Sequence, residues 1–374
     1  MYIKTPKRGI LVGIAAVVLS FLLVAGYTAP VLADTEPVLD IGASGTWDDT
    51  RVDRACIIKD GGLYKMWYSG HNGSNYQIGY ATSNDGVLWE KYSGNPVLTA
   101  GSSGRFDEDN VMSPWVIKDG STYKMWYSGS QTGPVWRIGY ATSSDGISWT
   151  KFDGSETAQS VLDLGAGFDV HDVFHCTVIK NETDYFEMWY TGNDGSSNLA
   201  IGHAWSSDGE SWTKNSANPV MDGTGGDSWD DTNVFSPCVI KVAEYADYRM
   251  WYSGGNDSNT YKIGRAGCND GVSWFKNLGP VFSESGQAGD FDEIEVLAPC
   301  VINDGGTYKM WYTGVDSSST NRIGYAISDD GIDWTRVSVP EFQIGSLGFL
   351  TMLMLTMGVA VPVTTVLAKK RKRK

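Results

Sequence analysis

A single seven-residue string governs what this chain can fold into. Tyr64–Gly70 reads YKMWYSG, and it returns as Tyr123–Gly129, Phe186–Gly192, Tyr248–Gly254 and Tyr308–Gly314. Its Met falls at 66, 125, 188, 250 and 310, which sets a period of 59 to 63 residues. A second block follows every copy: IGYATSNDGVLW, IGYATSSDGISW, IGHAWSSDGESW, IGRAGCNDGVSW and IGYAISDDGIDW. A third block precedes each one, an aromatic and an Asp, then three variable residues and a Val, as in Phe106-Asp107 to Val111. Five copies of one unit account for the whole body of the chain.

Each unit reads as four short strands. In the second, Val111–Ile117 is an almost continuous apolar run and Tyr123–Ser128 alternates. Arg137–Thr142 is the third strand, and Asp145-Gly146 turns the chain into Ile147–Thr150. Helical periodicity is absent from the body. A four-stranded meander repeated five times, with turns and tryptophans at fixed offsets, predicts an all-β, five-bladed β-propeller over residues 34–340. The blades fall near 45–98, 104–162, 167–221, 227–282 and 289–338. After each of the first four comes a connector such as Asn95-Pro96-Val97-Leu98; the fifth has none, and its equivalent stands at the N-terminus as Glu36-Pro37-Val38-Leu39. Residues 36–42 are therefore expected to complete the last blade and cover its edge.

Charge narrows the partners. The formal net charge is −15, but the nine cations at the two ends leave 20 against 44 acids between them, a body charge of −24. Such a body repels phosphate backbones, which argues against nucleic acid. Anionic polysaccharides are disfavoured for the same reason, unless a metal or a local Arg pair intervenes.

Both ends read as addresses. Lys4, Lys7 and Arg8, the apolar run from Ile10 to about Val24 and the small-residue site Val31-Leu32-Ala33 make residues 1–33 a signal peptide, with a retained anchor as the alternative. Residues 344–368 hold no charge and are long enough to span a bilayer, and the tail 369–374 is wholly basic. That polarity keeps the tail in the cytoplasm and the propeller outside, anchored at the cell surface through the membrane. Five cysteines, an odd number without zinc spacing, read as free buried thiols. Asn72, Asn181 and Asn256 begin glycosylation sequons.

Fivefold repetition separates scaffold from candidate site. Residues shared by all blades are structural: Asp48, Asp107, Asp169, Asp230 and Asp292 as acceptors for turn N–H groups, and Asp85, Asp145, Asp208, Asp270 and Asp330 in the hairpins. Symmetry breaks at the start of the inner strand, where Arg51, Asp53, Arg54, Asp109, His171, Asp172, His175, Glu293 and Glu295 gather. Charged groups converging on a narrow channel have perturbed pKa values, as a catalytic pocket requires, or they are a solvated rim that neutralises itself. Trp115 and Trp136 fall outside the repeated tryptophan columns and offer flat faces on which sugar rings stack. No resident cofactor is expected; one His beside Asp172 is the only arrangement that suggests Ca2+.

The YKMWYSG strand, the SxDGxxW hairpin and the NPVL connector resemble the five-bladed glycoside hydrolases, the superfamily of arabinanases, xylosidases, invertases and levansucrases, over residues 36 to 338. SxDGxxW is also similar to a shortened sialidase Asp box. Val339-Pro340-Glu341-Phe342 with the apolar run and basic tail resembles the tripartite sorting signal, of the PEF type, on archaeal surface proteins. The propeller resemblance implies three channel carboxylates that act as base or nucleophile, pKa modulator and general acid. Mapped here, it makes Asp53 the base or nucleophile and Asp172 or Glu295 the acid. Arg51, Arg54, Asp109, Trp115, Trp136, His171, His175 and Glu293 are then carbohydrate-binding. The match is incomplete: Asp53 stands one place early, Ser113-Pro114-Trp115 carries no acid, and His175 stands where some families have Glu. A glycoside hydrolase and a non-catalytic glycan-binding or envelope scaffold both remain open.

Overall fold

The structure is a computed structural model that describes residues 36–131, 135–153, 159–196, 198–223, 229–242, 247–256 and 260–339. The signal peptide, the 344–368 span and the basic tail lie outside them. Among the described residues no helix is long and apolar enough to cross a membrane.

Five antiparallel meanders of four strands follow one another. Blade 1 comprises β1 (Arg51–Asp60), β2 (Leu63–His71), β3 (Tyr76–Ser83) and β4 (Glu90–Lys91). Blade 2 is β5 (Asn110–Asp119), β6 (Thr122–Gln131), β7 (Val135–Ser143) and β8 (Thr150–Lys151). Blade 3 is β9 (Asp172–Lys180), β10 (Phe186–Asn193), β11 (Leu199–Ser206) and β12 (Thr213–Lys214). Blade 4 is β13 (Asn233–Val242), β14 (Asp247–Gly255), β15 (Lys262–Cys268) and β16 (Phe275–Lys276). Blade 5 is β17 (Glu295–Asp304), β18 (Thr307–Val315), β19 (Asn321–Ser328) and β20 (Thr335–Arg336). The first strands of successive blades pack side by side, and β1 packs against β17, so the five sheets form a ring.

The repeated tryptophans explain why neighbouring blades stay together. Trp67, Trp126, Trp189, Trp251 and Trp311 are fully buried. Each donates its indole N–H to the hairpin glycine carbonyl of the next blade, at Gly146, Gly209, Gly271, Gly331 and, closing the circle, Gly86. The glycines of the repeat leave room for the third aromatic column. A Cβ on Gly79 would come within 2.6 Å of the Trp47 ring, and one on Gly70 within 2.3 Å. In the hairpins, Asp145 Oδ1 accepts from the N–H groups of Ile147 and Ser148 and from the Ser143 hydroxyl, and the two backbone bonds lead in pushing its pKa down to about 2.

The other Asp column has partners different from those expected. Asp107, nearly inaccessible, accepts from the Tyr127 hydroxyl at 2.8 Å and pairs with Lys151 from β8. Asp48, Asp169, Asp230 and Asp292 likewise meet a Tyr hydroxyl and the cation of the fourth strand. These carboxylates therefore tie the outer strand to the blade core, a buried ion pair in place of a turn cap.

Residues 38 and 39 add themselves to blade 5. Val38 N donates to Ile323 O at 2.8 Å, and Leu39 bridges Ile323 as Leu98 bridges Ile78 in blade 1. All five cysteines are buried and free.

Candidate functional site

The inner strand of every blade carries the same defect. Pairing with the second strand slips between Asp53 and Cys56, and correspondingly in β5, β9, β13 and β17. The first bulged residue takes positive φ in all five: Arg54 (51°), Ser113 (52°), His175 (47°), Ser236 (50°) and Ala298 (50°). A left-handed conformation costs a residue with a side chain about 1–2 kcal/mol, so something must hold it. Each of these N–H groups donates to a buried hydroxyl of the preceding blade: Thr313, Ser69, Ser128, Thr191 and Ser253, at 2.8–3.0 Å. In three blades the next residue is proline, which has no N–H for the bulge to strand.

The bulges line up Arg54, Ser113, His175, Ser236 and Ala298 around a cavity of about 40 Å3 on the axis. Trp115 is its floor. Its indole N–H donates to Val178 O at 2.7 Å, and its ring packs against core residues of several blades. The same ring lines a cavity of about 550 Å3 that opens between the far ends of the inner strands. Trp115 is thus a plug in the channel, whereas the sequence suggested an open stacking face.

The small cavity is rich in unmet polar groups. His175 Nδ1 lies 2.8 Å from Ser236 Oγ, and its buried Nε2 has no hydrogen-bond partner. The same is true of Ser113 Oγ and Arg54 Nε. Burial, reinforced by Arg54, holds His175 well below the ordinary histidine value, so the imidazole is neutral at pH 7. Burial opposes the Arg54 charge, but Asp53 and Tyr76 more than compensate and raise its pKa.

The carboxylates are differently placed. Asp53 is wholly inaccessible; its Oδ2 lies 2.9 Å from Arg54 Nη1 and accepts from Asn321 Nδ2 at 2.9 Å. Asp172 Oδ1 accepts from Trp136 N, and its Oδ2 meets Asn193 Nδ2 and His171 Nδ1 at 2.8 Å. Asn110 and Asn233 make the same bond to Tyr76 N and Leu199 N, so Asp172 is one of three clasps between adjacent blades. Glu295 is half-buried and pushed up to about 7 by burial first and by the Glu284 charge second. Glu293 is turned to its own loop, where it accepts from Gly289 N, as Asp49 accepts from Gly45 N. Asp109 has its backbone carbonyl bound by Asn75 Nδ2. The buried Arg51 Nε makes no hydrogen bond, and Arg51 helps hold His71 below its ordinary pKa, after burial.

Trp136 sits on β7 at the register of Tyr76, Leu199, Tyr261 and Asn321 and is half-buried. Tyr76, stacked 4.4 Å from His71, and Tyr261, 4.9 Å from Phe235, are site residues that sequence reasoning missed. Aligning the starts of the third strands would have revealed them. Among the described residues, no group of three or more His, Cys, Asp or Glu is arranged to hold a metal ion.

No family model matches the chain. The uncharacterized protein Rv1502 of Mycobacterium tuberculosis (strain H37Rv) is 31% identical over 237 residues, covering 59% of this chain and 72% of the relative. The chain belongs to the Rv1502 family. The uncharacterized protein MT1551 of the CDC 1551 strain gives the same identity and coverage. Among solved structures, the BT0996 complex with RGII superposes with a TM-score of 0.64 at 17% identity, covering 83% of this chain and 96% of that one. A glycosyl hydrolase from Bacteroides ovatus gives 0.61 at 17%, with 83% and 94% covered. The β-1,2-mannobiose phosphorylase of Listeria innocua, bound to β-1,2-mannobiose, gives 0.61 at 14%, with 76% and 91% covered. At such identities these likenesses establish the fold: this Rv1502-family chain is a propeller of glycoside-hydrolase type.

Proposed function

We propose that this protein is an exported, surface-anchored propeller that binds carbohydrate at the mouth of its axis. One observation carries the reading: Arg54, Ser113 and His175 direct buried polar atoms without hydrogen-bond partners at one cavity. A cavity of about 40 Å3 has room for two or three waters at roughly 15 Å3 each, or for a single hydroxymethyl arm. A sugar ring would therefore rest above it, among Tyr76, Trp136 and Tyr261, and send one hydroxyl inward. Binding is favoured over hydrolysis because Asp53 is inaccessible and ion-paired and Asp172 is held by three partners.

Glu295 supports hydrolysis as a second reading. A carboxyl that titrates near 7 keeps a proton at neutral pH, as a general acid must, and Asp53 is then the base candidate. A panel of glycans and chromogenic glycosides tests both readings on the purified protein. Saturable binding that Ser113→Val and His175→Asn each weaken at least tenfold, without turnover, supports the binding reading. Turnover abolished by Glu295→Gln supports hydrolysis, and the absence of both binding and turnover refutes a carbohydrate role. Anchoring is tested separately, by whether protease added to intact cells removes the propeller.

A further inference from the structure

Blade 4 departs from the fivefold pattern in one cross-strand row. Elsewhere the row reads Lys65–Thr82–Glu90, Lys124–Thr142–Thr150, Glu187–Trp205–Thr213 and Lys309–Ile327–Thr335; in blade 4 it is Arg249–Gly267–Phe275. A Cβ on Gly267 would meet only Tyr248 O, at 3.8 Å, so the row has an open trough where other blades have a side chain. On the same face Arg265 takes the place of Tyr80, Tyr140 and Tyr325 opposite the core tryptophan. The inner-strand acid that neutralises the cation elsewhere is missing. Asp60 pairs with Lys65, Asp119 with Lys124 and Asp304 with Lys309, but blade 4 has Val242 at that position.

Two guanidinium groups thus share a cleft of about 410 Å3 without an ion-pair partner among the described residues. Arg249 donates to the Tyr308 hydroxyl, while the buried Nε of Arg265 has no hydrogen-bond partner. Burial and then Arg249 push Arg265 below the ordinary arginine value, a cost that an incoming anion would relieve. Of the acids that line the cleft, Asp270 is already bound by Val272 N, Ser273 N and the Ser273 hydroxyl, and Asp247 makes no ion pair with either arginine. At the edge Phe275 is 78% exposed, an apolar face held in water beside the cations.

We propose that this cleft is a second carbohydrate site, specific for an acidic sugar whose carboxylate or sulfate is held by Arg249 and Arg265 while its ring rests on Phe275. A planar oxyanion suits the guanidinium fork, and a pyranose face suits the exposed phenyl. The site is separate from the axial cavity and requires no charge there. It also explains how a body of net charge −24 can take up an acidic glycan: a local cation pair acts at contact distance, where the distant acids are screened.

Calorimetric titration of the full-length protein with an oligogalacturonate, a sulfated oligosaccharide, a neutral oligosaccharide and inorganic phosphate tests the proposal. Arg265→Tyr and Gly267→Thr install residues that other blades carry at these positions, so each variant should keep the wild-type melting temperature. The expected result is salt-sensitive binding of one or both acidic oligosaccharides, at least tenfold weaker in each variant and unchanged in Ser113→Val; the better of the two ligands tells carboxylate from sulfate. The proposal is overturned if neither acidic oligosaccharide binds, if both variants bind as the wild type does, or if inorganic phosphate binds as tightly. Failure at the axis alone would leave these readings intact.

Discussion

Replacing the Asp53–Arg54 pair by the residues that blade 5 uses separates stability from recognition. Blade 5 has Leu297-Ala298 at these two positions, with the same bulge and a φ of 50° at the Ala against 51° at Arg54. The side chain of Asp53 is wholly inaccessible and that of Arg54 is 18% exposed. Removing one member of a buried pair strands the other, at a cost of about 3–5 kcal/mol, whereas replacing both by apolar residues is close to neutral. Arg54→Ala, which strands the inaccessible carboxylate, should fall at the upper end; Asp53→Leu, which strands a partly hydrated guanidinium, at the lower end. The double variant Asp53→Leu/Arg54→Ala should lie within about 1 kcal/mol of wild type, with a coupling of several kcal/mol in the cycle. At about 2–4 °C per kcal/mol, each single variant melts some 6–15 °C low and the double one near wild type. Differential scanning calorimetry reads this directly. Additive losses in the double variant would show that the pair is not shielded from water, and the account of Asp53 as a structural partner would fail. A stable double variant that no longer binds sugar would assign recognition to Arg54.

Glu295 has a raised folded-state pKa, so the folded protein holds an extra proton between about 4.5 and 7 and loses stability as pH rises through that window. Glu295→Gln should therefore flatten the melting-temperature profile there and leave the protein equal to wild type at pH 4; an unchanged slope would refute the assignment. Asp145→Ala removes an acceptor shared by two N–H groups and a hydroxyl, and urea unfolding should register a loss of about 1–2 kcal/mol, against less than 1 for Asp145→Asn. Trp115→Ala should cost about 3–5 kcal/mol and join the two axial cavities, a change that crystallography would show as continuous solvent along the axis.

Much of the ring was legible because each blade repeats the residues that make it. The period, the hairpin turns and the missing fifth connector all follow from letters that recur at fixed spacing. The site was less legible, for three physical reasons. Comparing identities hid the equivalence of Asn110, Asp172 and Asn233, since an amide oxygen and a carboxylate oxygen accept the same bond; Asp172 therefore looked exceptional. A bulge changes which way a side chain faces, and no residue type announces positive φ when five different positions carry Arg, Ser, His, Ser and Ala. Trp115 stood out as a break in the tryptophan columns, but a ring has only one axis, so a single large side chain suffices to plug it. The Arg249–Arg265 cleft depended on an absence, Val242 in place of Asp, which becomes visible only when the blades are superposed.

The fourth-strand cation is Lys91, Lys151, Lys214 and Lys276 in the first four blades, but Arg336 in the fifth. This is the blade from which the chain leaves the ring, three residues before the last described position. Arg336 Nε holds Asp292 at 2.7 Å while Nη2 grips Ser283 O, so one planar group fastens β20 to two separate segments. If the far end of the chain is fixed in an envelope, any drag on the propeller arrives first at this strand, which is only two residues long. A lysine there would be a swivel, free to turn about one contact. The guanidinium is a hitch: it resists peeling in two directions and passes the load inward to a buried carboxylate, so the blade nearest the tether need not be the first to come apart.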